Sequence, residues 1–213
     1  MKLSVVIPFY NEENMIQKMY DELVKEINQI TKAEFEIIFI NDGSKDRTFE
    51  RMLAIAAGDS RVKYISFSRN FGKEAGTIAG LEYATGEAVI LMDGDLQHPP
   101  AMLPKMIEAY EQGYDVVSAR RTRTGEKRHR TFLAKHFYKL ANKMMDIELM
   151  DGVSEFRLFS RKVVNAIISM QEYNRFSKGI FAWIGFNEKV IEYENQVRTV
   201  GETKYSLKFS LNY

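Results

Sequence analysis

The sequence predicts an α/β fold: a mostly parallel central sheet with helices on both faces. Three observations predict it. Short, continuously apolar runs rich in Val and Ile recur through the first half of the chain. Helix-length segments separate them. Several runs stop at a cluster of Gly, Pro, Asn or Asp. Strands that read as continuous rather than alternating apolar runs are those covered on both faces.

Each element follows from its own pattern. LSVVIP (3–8) is a short run closed by proline. Met15, Ile16, Met19, Leu23 and Ile27 fall at helical spacing and predict a helix over 12–30. FEIIFIND (35–42) is the second strand and 46–57 the second helix. VKYISF (62–67) is the third strand, followed by a helix over 73–84. AVILM (88–92) is the fourth strand. Pro99 and Pro100 open a helix to about Tyr110, and DVVSA (115–119) is the fifth strand. Then the texture changes. ARRTRTGEKRHR is a polar, basic loop, and residues 131–146 read as an amphipathic helix. A strand over 154–160, helices over 161–170 and 175–185, and a strand over 189–194 complete the chain. No internal repeat or low-complexity tract interrupts it.

With 213 residues, 45% hydrophobic and 28% charged, the chain is long enough and apolar enough for one globular domain. It contains no cysteine, which excludes disulfides and thiolate metal sites and fits a cytosolic setting. The N-terminal apolar run is too short for a signal peptide. No run of about 18 apolar residues predicts a membrane span.

In sheets of this kind ligands bind beyond the carboxyl ends of the strands. Residues 8–11, 41–44, 68–73 and 93–97 occupy four such ends. The most pointed is AVILMDGDLQHPP, where a buried strand runs into Asp93 and Asp95 with only Gly94 between. Two carboxylates this close repel unless a cation or proton intervenes. Hard oxygen ligands suit Mg²⁺ or Mn²⁺ bridging to substrate phosphates. Gly94 lets backbone approach a ligand closely. A solvated turn also reads as D-x-D. The spaced ligands of an EF-hand are absent, and no partner set for an aspartyl phosphatase follows.

VVIPFYNEE, FINDGSKDRT, SRNFGKEAGTIAGLEYATGE, ILMDGDLQHPP and VRTVGETKYSL, in this order over about residues 3 to 207, resemble the inverting family-2 glycosyltransferases of GT-A fold. Within these the resemblance is to the polyprenyl-phosphate glycosyltransferases, such as the dolichol-phosphate mannose synthases and bactoprenol glucosyltransferases. It implies a single catalytic domain over 1–213, with a nucleotide-sugar half (about 1–119) and an acceptor half (about 120–213). Pro8, Tyr10, Glu12 and Asp42 would line the nucleotide pocket. Asp42 can accept from a base N–H and Tyr10 can stack, although Asn41-Asp42-Gly43 is also a good turn and Tyr10 also fits a core. Asp93, Asp95 and Gln97 would hold Mg²⁺ or Mn²⁺ on the diphosphate, and Lys73 would contact the donor or remain solvated. Arg120, with Arg121 beside it, and Arg198 and Lys204 would stabilise the departing diphosphate.

Glu155 in SEFRLFS stands where the family usually has aspartate. It is the candidate base or acceptor-positioning group, with Arg157 as its partner. Nine basic residues between Ser118 and Lys143 (Arg120, Arg121, Arg123, Lys127, Arg128, Arg130, Lys135, Lys139 and Lys143) face only Glu126 in opposition. That asymmetry suits a phosphate acceptor and an anionic membrane surface, or a plainly solvated loop. Phe132, Phe137 and Leu140 are expected to touch either the bilayer or the sheet. Nucleic acid is not an expected partner; a homo-oligomer is left open.

The expected reaction is metal-dependent transfer from UDP-glucose or UDP-N-acetylglucosamine, with GDP-mannose open, to polyprenyl phosphate at the cytoplasmic face of the cell membrane. The alternatives are a sugar-hydroxyl acceptor or an inactive nucleotide-sugar-binding protein. Relatives commonly carry C-terminal membrane helices, so the chain reads as a soluble catalytic portion lacking its anchor.

Overall fold

The structure is a computed structural model that describes residues 1–122, 153–170 and 177–194. In chain order the elements are β1 (Lys2–Phe9), α1 (Ile16–Ile27), β2 (Glu34–Asn41), α2 (Thr48–Gly58), β3 (Val62–Ser66), α3 (Lys73–Tyr83) and β4 (Ala88–Leu91). A 3₁₀ turn (Pro100–Met102) then leads into α4 (Leu103–Glu111) and β5 (Val116–Arg121). β6 (Val153–Ser160), α5 (Arg161–Ser169), α6 (Ser177–Trp183) and β7 (Glu188–Tyr193) follow.

All seven strands join one sheet in the order β3-β2-β1-β4-β6-β5-β7. Every pairing is parallel except those of β6, which runs antiparallel to β4 and β5. The reversed strand brings its amino-terminal end, carrying Ser154 and Glu155, to the edge where β1, β2, β4 and β5 finish. Its register pairs Leu91 with Arg157. Continuing that register two residues up the sheet sets Glu155 across from Asp93.

Two cores cover the two faces. One packs α1, α2 and α4 on the sheet through Ile16, Met19, Leu23, Met52, Leu103 and Met106. The other packs α3, α5 and α6 through Leu81, Val163, Val164, Ile167, Ile180 and Phe181. Each such fully buried side chain contributes about 1.5–3 kcal/mol relative to exposure. α3 lies especially close to the sheet: a Cβ on Gly80 would stand 2.2 Å from Cγ1 of Val6. This close approach carries the amino-terminal end of α3, and Lys73 with it, over the strand ends.

The predicted strands are all present. The helix expected over 12–30 contracts to α1 because Asn11 adopts φ 51° and the Glu12 carbonyl accepts from the N–H groups of both Met15 and Ile16, forming a turn before the helix. β5 runs two residues past Ala119, because Arg120 and Arg121 pair with Glu192 and Tyr193 of β7. The helix expected over 131–146, with Phe132, Phe137 and Leu140, lies outside the described residues. Among the described residues no helix is long and apolar enough to cross a membrane.

Candidate active site

The strand ends are stitched together by their own polar residues. After β1, the Asn11 N–H donates to Ser44 Oγ (3.0 Å) and the Lys45 N–H to Asn11 Oδ1 (2.8 Å). The Glu12 N–H donates to Thr48 Oγ1 (2.8 Å). Asn41 Nδ2 donates to Ser66 Oγ (2.9 Å), tying β2 to β3. Pro8, Tyr10 and Glu12 thus stand at or just past the end of β1, with Tyr10 exposed.

Asp42 is buried, and its carboxylate accepts from the N–H groups of Phe71 (2.7 Å) and Gly72 (3.0 Å) and from Asn70 Nδ2 (2.9 Å). Burial pushes its carboxyl up, against the pull of those two N–H groups. In this structure Asp42 organises the loop that leads into α3. Gly43, at φ 63°, permits the approach: a Cβ there would lie 2.2 Å from the Arg69 carbonyl carbon.

The Asp93–Asp95 turn is over-determined. Met92 N–H still donates to the Val6 carbonyl (3.1 Å), the last ladder bond. Asp93 N–H then donates to Nδ1 of His98 (3.1 Å). The Gln97 N–H and Nε2 donate to Asp95 Oδ1 (3.1 Å) and Oδ2 (3.0 Å). Leu96 adopts φ 59°, a left-handed conformation that is strained for a bulky residue. Gly94 is packed closely against protein, since a Cβ there would stand 2.3 Å from Cε1 of Phe9. Gln97, expected as a metal ligand, here orients Asp95.

Lys73 joins the halves of the site. Its Nζ lies 2.5 Å from Asp93 Oδ1 and 2.6 Å from Glu155 Oε2. Burial alone would lower the lysine pKa, but Asp93 and Glu155 together raise it, so the ammonium stays charged. Glu155 was expected to pair with Arg157. Arg157 is buried against Glu188 (3.4 Å) with its guanidinium over the Phe181 ring and feels the Glu155 charge only through space, whereas the direct ion pair of Glu155 is with Lys73. Ser118 Oγ also donates to Glu188, which closes a polar cluster beneath the site.

The two arginines of β5 diverge, as neighbours on a strand must. Arg120 pairs with Glu192 of β7 (Nε to Oε1 3.1 Å). Arg121 reaches toward Gln97 Oε1 (3.5 Å) and the aspartate turn. Among the described residues, Arg121 rather than Arg120 is therefore on the side of the carboxylates. Arg198, Lys204 and the basic residues from Arg123 to Lys143 lie outside the described residues.

His98 and Tyr193 are site residues that the sequence reading missed. His98 is buried, stacked on Phe156 at 5.4 Å and 16°, and burial holds its imidazole below its usual pKa. Tyr193 is buried at the end of β7, hydrogen-bonded to Ser154 and within the field of Arg121, Asp93 and Asp95. A histidine directly after D-x-D-x-Q was the available signal for the first. Nothing in a lone sequence marks the second.

The fit of a divalent cation can be tested on this geometry. Asp93 and Glu155 already gather around one cation, the Lys73 ammonium, and the oxygens of Asp93 and Asp95 are hard donors. Among the described residues no cluster of three or more His, Cys, Asp or Glu side chains forms a cage. Mg²⁺-type ions bound by one or two carboxylates plus substrate phosphates need no such cage. A separate cavity of about 890 Å³ at the opposite end of the sheet is lined by Glu87, Tyr110, Asp115, Arg161 and Lys162. Its charged groups are satisfied: Lys162 pairs with Asp115 (2.7 Å) and Arg161 donates to the Gly86 carbonyl (2.9 Å).

A mixed sheet of this order, with paired aspartates ending a central strand, is the architecture of the GT-A glycosyltransferases. The chain aligns with glucosyl-3-phosphoglycerate synthase from Mycobacterium tuberculosis, solved with Mn²⁺, UDP-glucose and phosphoglyceric acid. The TM-score is 0.59 at 20% identity, covering 98% of this chain and 74% of that one. The family model described as glycosyl transferase family 2 matches residues 4–168, and the chain belongs to that family. It is 50% identical over 211 residues to the putative glycosyltransferase CsbB of Bacillus subtilis, covering 99% of this chain and 64% of that protein. It is 44% identical over 207 residues to the prophage bactoprenol glucosyl transferase homolog of Escherichia coli, covering 97% of this chain and 67% of that protein. The chain thus spans about two thirds of the length of these relatives.

Proposed function

We propose that the chain is the catalytic part of an inverting glycosyltransferase that moves a sugar from a nucleotide diphosphate to a polyprenyl phosphate. The observation that carries this reading is the convergence of Asp93, Asp95 and Glu155 on one edge, with Lys73 between Asp93 and Glu155. UDP-glucose or UDP-N-acetylglucosamine is the proposed donor, and Mg²⁺ or Mn²⁺ the proposed cofactor. The bactoprenol named in the Escherichia coli relative supports the lipid acceptor.

Asp93 and Asp95 would hold the cation, with Gln97 keeping Asp95 oriented. When bound, the cation would supply positive charge to the diphosphate as the glycosidic bond breaks. Arg121 lies on the side where that charge develops and would stabilise it further. Tyr10 and Glu12 would face the nucleoside.

Glu155 faces the incoming acceptor. A sugar hydroxyl needs a base to take its proton. A phosphate monoester, with a second pKa near ~6, is largely dianionic at neutral pH and brings its own nucleophile. Glu155 is already committed to Lys73, which suits the acceptor that needs no proton removed. In this reading Lys73 and the basic residues from Arg123 to Lys143 offset the repulsion between the lipid phosphate and the carboxylates. The proposed setting is the cytoplasmic face of the cell membrane.

The test is transfer of label from a panel of UDP- and GDP-sugars to undecaprenyl phosphate in liposomes, with Mn²⁺, with Mg²⁺ and with chelator. The expected result is metal-dependent label in the lipid, abolished by Asp95→Ala and reduced by Glu155→Gln. Label appearing only in a glycan hydroxyl acceptor would refute the lipid-phosphate reading.

A further inference from the structure

The chain past β4 presents a problem in hydrogen bonding. The Met92 N–H is the last to find a partner in the sheet. The next N–H, that of Asp93, finds its partner outside the ladder, in a part-buried setting where an unpaired donor is costly. It donates to Nδ1 of His98. That acceptor requires the imidazole proton to sit on Nε2. The same ring lies flat on Phe156, the residue after Glu155 on β6. A phenylalanine at position 98 would fill this space and stack equally well, but it offers no acceptor.

We propose that His98 is a positioning residue: it fixes the Asp93 backbone through Nδ1 and, by stacking on Phe156, holds the aspartate turn in register with Glu155. Three features of the turn agree. Leu96 is held at φ 59° within the loop that His98 closes. Pro99, lacking an N–H, follows directly, so the chain beyond the ring has no donor to compete for Nδ1. Gly94 is pressed against Phe9, so the turn is clamped on its other side. His98 therefore acts through Asp93 rather than on substrate. This inference rests on the reading of Asp93 and Asp95 as cation ligands, because its consequence is a change in cation affinity.

Two arms test it. The first measures hydrogen exchange at the Asp93 amide in metal-free protein, wild type against His98→Phe and His98→Asn. Asparagine Oδ1 stands near the position of Nδ1 and restores an acceptor. The inference predicts a protected amide in the wild type and in His98→Asn, and fast exchange in His98→Phe. The second measures Mn²⁺ affinity in the presence of UDP by electron paramagnetic resonance. The expected result is a loss of about tenfold in His98→Phe, the lower end of what outer-shell partners contribute, with His98→Asn within about threefold of wild type. Melting temperatures taken alongside should fall by about 2–12 °C in His98→Phe, the cost of one donor left without its acceptor while packing is preserved, and by less in His98→Asn.

Fast exchange at the wild-type Asp93 amide overturns the inference whatever the variants do. So does a His98→Phe protein that binds Mn²⁺ like wild type, or a His98→Asn protein as weak as His98→Phe. If wild type binds no Mn²⁺ with UDP, the cation reading fails instead, while the exchange arm still decides the backbone role.

Discussion

Replacing Lys73 by methionine removes the ammonium that Asp93 and Glu155 share and keeps most of the side-chain volume. At an effective dielectric near 20, two unit charges about 4 Å apart interact by about 4 kcal/mol. Desolvation of the ammonium opposes this gain, and removing one partner of a fully buried pair costs about 3–5 kcal/mol. The Lys73 side chain is 32% exposed, so solvent screens part of the interaction. A net loss of about 1–3 kcal/mol follows, and at about 2–4 °C per kcal/mol for a domain of this size the melting temperature should fall by about 2–12 °C. The lysine pKa is raised in the folded protein. Its contribution is therefore complete below the ordinary lysine pKa and lost only as pH rises through the raised value, so at pH 7.5 the whole deficit is visible. In the variant the two carboxylates face each other without the ammonium and repel. A divalent cation can replace the missing charge, so Mn²⁺ should raise the melting temperature of Lys73→Met more than that of wild type. Scanning fluorimetry at pH 5 to 8, with and without Mn²⁺, reads all of this. Equal melting of the two proteins at pH 7.5, or an Mn²⁺ response no larger in the variant, would refute the reasoning.

Three further outcomes are expected. Arg121→Gln should lower sugar transfer by about tenfold or more, whereas Arg120→Gln, whose arginine faces Glu192, should stay within about threefold, since only the former removes a donor aimed at developing charge; matched kcat/KM values decide it. Gly94→Ala should destabilise by about 1–3 kcal/mol through overpacking on Phe9, with partial recovery in the Phe9→Leu double variant, checked by urea denaturation. At the far end of the sheet, the buried Glu36 carboxylate accepts from Lys63 (2.7 Å), Ser4 (2.6 Å) and the Thr85 N–H (2.6 Å). Burial would raise its pKa, but these bonds hold it well below the carboxylate range. Its contribution is present above the ordinary glutamate pKa and lost as pH falls through the folded value. Glu36→Gln should cost about 1–3 kcal/mol at pH 7 and show a shallower loss of stability on acidification, measured by denaturation at pH 7 and pH 4.

The strands and the helices of the first half were legible because their apolar spacing is local, and Asp93, Asp95 and Lys73 were legible because they sit at strand and helix ends. The partners were not. Glu155 could be flagged by its motif, but that it faces Asp93 depends on β6 running antiparallel between β4 and β5, and a pairing between distant strands leaves no local signature. The divergence of Arg120 and Arg121 depends likewise on how far β7 extends β5. Gly94 was legible as a point of close approach, but that it packs against the Phe9 ring, 85 residues earlier, left no local signal.

The central claim is that one cation position, shared by the aspartate turn and opposite Glu155, organises this edge. Anomalous diffraction from crystals soaked with Mn²⁺ and UDP tests it most directly. The account predicts a manganese peak within ligand distance of Asp93 and Asp95, at the carboxylate edge, with the diphosphate completing its shell and Lys73 drawn away from Asp93. A peak elsewhere, or bound UDP at this edge with no manganese at the aspartates, would contradict it.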